Sequence, residues 1–352
     1  MPPALLPSTA FVYAGPGAGS RSIVSAVESL RRALKPSLLV DTLTTDQLLQ
    51  GEWTQGCRIL VMPGGADLPY CRHLNGAGNK IITNFVENQG GAYLGLCAGA
   101  YYSCSRVEFE VGSEIEVVGD RELGFYPGIA SGSIYPGFDY QSENGAIAAP
   151  IQFKTSNSSV FHNSGDGGTN RSDNDGAWME CRDYLNGGPG FLEPDSPSKF
   201  LSLCSCIPPN IEILATFSEH NNAAAAIACQ IGLGRAVLCS THPELTPEWL
   251  ALPSGAGRSD AVLSSVDLEN SNYKSQTSGS GGGADIIMMN TTSATNSDVA
   301  AVNEKNGNTI RSEGEGHVER LRTELEKHQQ GRWQYWKRLL IAAGLEDALV
   351  KC

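Results

Sequence analysis

Alternation is the strongest constraint in this sequence. Four short apolar runs, "AFVYAG", "SLLVDTL", "CRILVMPGG" and "GAYLGL", are separated by segments of helical period. In "GPGAGSRSIVSAVESLRRALK" the residues Ile23, Val27, Leu30 and Leu34 fall on one helical face. "TTDQLLQG" reads as a short helix, capped by Thr44 or Thr45 and stopped by Gly51. "AGNKIITNFVENQG" places Ile81, Phe85 and Val86 on one side, and "AGAYYSCSRV" opens a fourth helix. Strands that alternate with helices imply right-handed crossovers and a parallel sheet with helices on both faces. The expectation is a three-layer αβα fold with a mostly parallel sheet.

The pattern changes after about Val107. "VEFE", "GSIYPGFDY", "GAIAAPIQF" and "SSVFHNSG" are short and turn-bounded, the signature of added antiparallel strands. "SGDGGTNRSDNDG" reads as a polar surface loop. Strands return at "IEILATFSE", "AAAAIACQIG" and "GRAVLCSTHPE". The expected organisation is one domain over 8–250, a disordered linker or insertion over 251–316, and amphipathic helices over 317–350 that dock back on the domain. "SQTSGSGGGAD" and "NTTSATNSD" carry the linker reading, being rich in Ser, Gly, Asn and Thr without apolar period. In the tail, Val318, Leu321 and Leu325, then Trp333, Trp336, Leu339 and Leu340, give two helices with Gly331 as the expected break.

Charge and cysteine content narrow the function classes. A net charge of -13 over 352 residues argues against non-specific binding to nucleic acid or an anionic membrane surface. No apolar run reaches the roughly 18–20 residues of a membrane span. "MPPALLPSTAFVYAG" has no basic leader and reads as an ordinary soluble start, so a cytoplasmic location is expected. The ten cysteines are scattered, mostly in apolar segments, and are expected to be buried and reduced. No cofactor or metal motif stands out. "GPGAGS" lacks the spacing of a dinucleotide fingerprint and the Gly-Lys-Ser/Thr of a P-loop, which leaves phosphate binding a minor reading.

The ends of parallel strands are where ligand and catalytic groups collect. Three features arrive there. Gly64-Gly65 follows the third strand, Cys97 follows the fourth in the frame Gly-x-Cys-x-Gly, and His242 and Glu244 follow "GRAVLCST". A nearby imidazole and a helix start favour a thiolate. Flanking glycines allow a strained strand-to-helix elbow with the thiol held out. Glu244 can orient His242, and amides of Gly64, Gly65 and Ala98 can hold an oxyanion. A packing turn remains the plain alternative for each piece taken alone. His162, in "VFHNSGDGG", is a further candidate for the cleft.

"MPGG", "GLCAGA" and "GRAVLCSTHPE" resemble the oxyanion turn, nucleophile elbow and terminal His-x-Glu of class I glutamine amidotransferase-like domains. "FVYAGPGAGSRSIVSAVESLRRAL", "MPGGADLPYCRHLNGAGNKIITNFVENQGGAYLGLCAGAYYS", "VFHNSGDGG" and "STHPEL" resemble the N-terminal domain of fungal-type biotin–protein ligases. The resemblance covers roughly 10–250 and extends to the tail helices. It implies a flavodoxin-like α/β fold with a Cys97, His242 and Glu244 triad. Two departures matter. The position after Cys-x-Gly usually holds Gln or His in amidotransferases and is Ala100 here. Nothing matches the Gly-Arg-Gly-Arg-type adenylate loop of the ligase domain, and the chain is too short to hold that domain, so biotinylation by this chain alone is not expected.

Two classes of function follow. One is a cysteine-nucleophile enzyme acting on a small amide or acyl compound, with no useful glutaminase activity. The other is a non-catalytic module that regulates or contacts a biotin ligase-related protein. A cysteine peptidase of the related intracellular family is a weaker third.

Overall fold

The computed structural model describes residues 8–140, 142–155, 177–251 and 316–350. The four apolar runs form β1 (Thr9–Tyr13), β2 (Leu39–Leu43), β3 (Cys57–Met62) and β4 (Ala92–Leu96). Ten further strands follow: β5 (Cys104–Phe109), β6 (Val117–Asp120), β7 (Tyr126–Gly132), β8 (Ile147–Lys154), β9 (Trp178–Leu185), β10 (Gly190–Glu193), β11 (Ser196–Phe200), β12 (Ile211–Phe217), β13 (Ala223–Ile231) and β14 (Gly234–Cys239). They make a nine-stranded sheet, ordered β2-β1-β3-β4-β14-β13-β12-β8-β9, and a five-stranded sheet, ordered β11-β10-β7-β5-β6. The large sheet is mixed. β2, β1, β3, β4 and β14 run parallel, and β13, β12, β8 and β9 extend it by antiparallel pairing.

Strand alternation sends side chains to two cores. Val12, Val61, Leu94 and Val237 face one side; Tyr13, Leu60, Tyr93 and Leu238 face the other. The first face is covered by α1 (Ser20–Ala33) through Ile23, Val27 and Leu30, and by a C-terminal helix through Tyr335, Trp336, Leu339 and Leu340. The second is covered by α2 (Thr45–Gln50), α3 (Asp67–Leu74), α4 (Ala77–Glu87), α5 (Ala98–Tyr102) and the small sheet. The three-layer αβα expectation is met, with a sheet as part of one outer layer.

Local signals explain several boundaries. Thr44 caps α2 in a capping box with Gln47, and Gly51 stops it at φ 78°. α5 is shorter than the run "AGAYYSCSRV" suggests, because β5 starts at Cys104 and the small sheet takes the residues that follow. "GSIYPGFDY" is a loop after β7, not a strand. His73, expected in a loop, lies in α3.

In the tail, α6 spans residues 316–327 and α7 spans Gln329–Ala342. The break falls at His328, not at Gly331. Gly331 lies inside α7, where a Cβ would come within 2.7 Å of the Cys181 Cβ, so the glycine serves close packing on β9. Of the cysteines, Cys97, Cys104, Cys181, Cys229 and Cys239 are buried as expected, whereas Cys204 and Cys206 are exposed. The expected strand and loop around His162, and nearly all of the expected linker, lie outside the described residues. Among the described residues, no helix is long and apolar enough to cross a membrane.

Candidate functional site

Four loops meet at the carboxyl edge of the parallel strands. The loop after β1 carries Gly15–Gly19, that after β3 carries Gly64-Gly65, that after β4 carries Cys97, and that after β14 carries Thr241–Glu244. β1 pairs with β2 on one side and β3 on the other, which opens a crevice at the switch point.

Cys97 answers to the frame around it. Its φ is 47°, a strained backbone state for a residue with a Cβ. Its amide donates to the Cys239 carbonyl at 2.8 Å, which ties the elbow to the end of β14. The two flanking glycines are sites of close approach. A Cβ on Gly95 would meet Gly99 O at 2.4 Å, and one on Gly99 would meet Met62 O at 2.2 Å. Only glycine lets α5 turn back over β4 and lie against the end of β3.

His242, Glu244 and Ser22 form a buried polar chain. Nδ1 of His242 lies 2.7 Å from Glu244 Oε1. The Ser22 hydroxyl donates to the same Oε1 at 3.0 Å and accepts from the Gly64 amide at 2.9 Å. Glu244 is fully buried, and the Ser29 hydroxyl donates to its main-chain carbonyl at 2.8 Å. Burial of the imidazole works against its charge, but the Glu244 carboxylate and the neighbouring Cys97 sulfur outweigh this and hold the His242 pKa well above its ordinary value. The Cys97 sulfur also makes a long contact, 3.9 Å, to the Asn186 carbonyl.

The three proposed oxyanion amides are not equivalent. The Gly64 amide is already engaged by Ser22 and is corrected out of that role. Gly64 serves instead as a floor for the imidazole, since a Cβ there would lie 2.3 Å from His242 Cε1. Gly65 and Ala98 both line the cleft beside Cys97. As a first-turn helix residue, Ala98 has an amide with no intrahelical partner. "GPGAGS" braces this turn. Gly19 N donates to Gly64 O at 2.8 Å and Ala66 N to Gly17 O at 2.9 Å, which ties the two turns together.

A cleft partly open to solvent lies over Cys97. One wall is apolar, from Tyr101, Phe109, Val117, Phe138 and Tyr140; Asp67, Asn186 and Gly187 supply polar edges. Among the described residues, no group of three or more His, Cys, Asp or Glu side chains is arranged to hold a metal ion. Ala100 is fully buried and is not part of the lining.

Residues far from Cys97 in sequence support the site. Arg332 of α7 is buried, pairs with Asp183 of β9 at 2.6 Å, and donates to the carbonyls of His242 and Leu245 at 3.0 and 2.6 Å. Sequence reasoning missed Ser22, Arg332 and Asp183. A signal existed for the first: Ser22, Ser25 and Ser29 recur on the apolar face of α1, where an ordinary amphipathic helix would carry hydrocarbon.

Residues 8–277 match the family model described as "Biotin-protein ligase, N terminal". A biotin–protein ligase of Schizosaccharomyces pombe is 34% identical over 240 residues, which are 67% of this chain and 33% of that protein. An uncharacterized protein of Chlamydia muridarum is 34% identical over 245 residues, 68% of this chain and 82% of that one. The chain thus matches only a third of the length of the ligase. Among solved structures, a glutamine amidotransferase superposes over 67% of this chain and 91% of its own, with TM-score 0.42 and 15% identity.

Proposed function

The chain belongs to the biotin-protein ligase N-terminal family, and from that premise we propose that it is a cysteine-nucleophile enzyme acting on a small amide or related acyl compound. The observation that carries this reading is the coupling of a strained, cleft-facing Cys97 to an imidazole whose far nitrogen is held 2.7 Å from a buried carboxylate. A packing turn needs none of these features.

In the proposed chemistry the Cys97 proton already rests on the His242 imidazole, and the sulfur attacks the carbonyl carbon. The C=O π pair moves to oxygen, where the Gly65 and Ala98 amides hold it. Collapse breaks the bond to the leaving nitrogen, which takes the proton from His242. Water then attacks the thioester with the now neutral His242 as base, releasing the acid and restoring the sulfur beside a protonated imidazole. Glu244 orients the imidazole and stabilises its charge. Ala100 stands where amidotransferases usually carry Gln or His, so glutamine is not the proposed substrate.

Mass-mapped alkylation with sub-saturating iodoacetamide at neutral pH tests the reading. Cys97 is expected to label faster than the exposed Cys204 and Cys206, and to lose that advantage in His242→Ala. A Cys97 no faster than those two overturns the enzyme in favour of the non-catalytic module. The module's own mark is binding to a biotin ligase that Cys97→Ser leaves intact.

A further inference from the structure

The lining of the cleft points to the chemistry of what enters it. Apart from Tyr101 of α5, its apolar wall is built by elements separate from those that build the nucleophile. Phe109 belongs to β5 and Val117 to β6, both in the small sheet, while Phe138 and Tyr140 come from the loop after β7. The rings pack edge to face. Centroids lie 5.7 Å apart for Tyr101 and Phe109, 5.3 Å for Phe109 and Phe138, and 4.6 Å for Phe138 and Tyr140. Such a cluster is held by its own contacts and presents a fixed apolar surface. Tyr140 is nonetheless 52% exposed, an aromatic ring left at the cleft mouth.

Among the described residues of the lining, charge is sparse. Asp67 is the one ionisable carboxylate there, and it is already paired with Arg121, whose Nε lies 2.8 Å from Oδ2. No Lys, Arg or His is part of the described lining. Along that described lining an α-carboxylate meets no Lys, Arg or His side chain, and an α-ammonium meets a carboxylate already paired with Arg121. A free amino acid, glutamine included, would lose the hydration of both charges without a partner.

Resting on the reading of Cys97 as a nucleophile, we infer that the cleft selects an uncharged acyl compound with an apolar or aromatic group beside its carbonyl, and rejects zwitterionic amino acids. The carbonyl sits at Cys97, Gly65 and Ala98, and the apolar group lies against Phe109, Phe138 and Tyr140. Pockets of this kind discriminate by roughly 10–200-fold for each added apolar increment.

Four alkylating probes with the same iodomethyl-carbonyl warhead separate the two claims: iodoacetamide, anionic iodoacetate, cationic N-aminoethyl iodoacetamide and apolar N-benzyl iodoacetamide. Rates at Cys97 are taken relative to Cys204 and Cys206 in the same sample, which cancels intrinsic reagent reactivity. The expected result is about a tenfold relative preference for the benzyl probe over iodoacetamide, with both charged probes slower. Tyr140→Ser is expected to cut the benzyl preference at least about threefold, and Val117→Thr, a second lining position, is expected to reduce it as well. If Cys97 reacts fast with iodoacetamide but shows no benzyl preference, or prefers a charged probe, the apolar selection is overturned and the nucleophile stands. If no probe reacts faster at Cys97 than at Cys204 and Cys206, the nucleophile itself falls. A benzyl preference unchanged in both variants overturns the assignment of the wall.

Discussion

The imidazole of His242 rests on Gly64, and this contact gives a test that leaves every titrating group in place. A methyl at position 64 would lie 2.3 Å from His242 Cε1, while Glu244 holds the far side of the ring. Gly64→Ala is therefore expected to push the ring off Cys97 and to bring Cys97 alkylation down to the rate of an ordinary buried thiol. Circular dichroism should show a retained fold. His242 also makes stability depend on pH. Its pKa is raised in the folded chain, so the folded state holds a proton that the unfolded state has released above the ordinary histidine range. The stabilisation is full below about pH 6.5 and is lost as pH rises through the raised folded value. His242→Gln should cost about 3–5 kcal/mol near pH 6, the usual loss on breaking a buried pair. Urea unfolding at pH 6 and at pH 10 should show that difference narrowing at the higher pH; a widening gap would contradict the assignment.

The elements differ in what their residues reveal. α2 follows from its own chemistry, with a capping box at Thr44 and a left-handed stop at Gly51. β1, β3 and β4 follow from apolar runs that suit strands buried on both faces. α7 is harder to read, since it mixes large apolar residues with arginines that turn out to be buried. Arg332 and Arg338 have side-chain exposures of 3% and 7%, and each meets a carboxylate, Asp183 or Glu212. Arg332 matters most because it also grips the His242 loop through two carbonyls. Arg332→Met should destabilise the chain by about 3–5 kcal/mol, because Asp183 stays buried without its partner. Adding Asp183→Asn should recover part of that loss, measured by denaturant midpoint. Cys97 labelling in the folded single variant should also slow, since the loop that carries His242 loses two hydrogen bonds.

For the whole molecule, the large sheet needs cover on both faces, and α1 alone does not cover the first. Tyr335, Trp336, Leu339 and Leu340 are fully buried in the same core as Val12, Leu94 and Val237. We propose that 8–250 and the tail helices form one folding unit, with the chain between them a connector. A chain ending at residue 315 should therefore bind a hydrophobic dye and lose its cooperative transition. Loss of the Trp336 contacts alone is worth about 3–5 kcal/mol. An unchanged transition would show that the tail is an accessory.

Local sequence pattern is enough for the α/β class, the parallel strands and their order along the chain, and the three loops that bring Cys97, Gly64-Gly65 and His242-x-Glu244 to one edge. These are local properties: apolar period, turn residues, and the rule that parallel strands share one carboxyl end. Long-range packing is needed to see that the Gly64 amide donates to Ser22, that α7 holds the His242 loop, and that the small sheet and the loop after β7 bring aromatic rings to the cleft. Each of these is a contact between segments remote in sequence, and no single segment's pattern encodes its partner. The small sheet shows the reason most plainly. β5 lies parallel to β7, yet β7 joins β10, some 60 positions further on, so its existence rests on pairings that short windows of sequence do not contain.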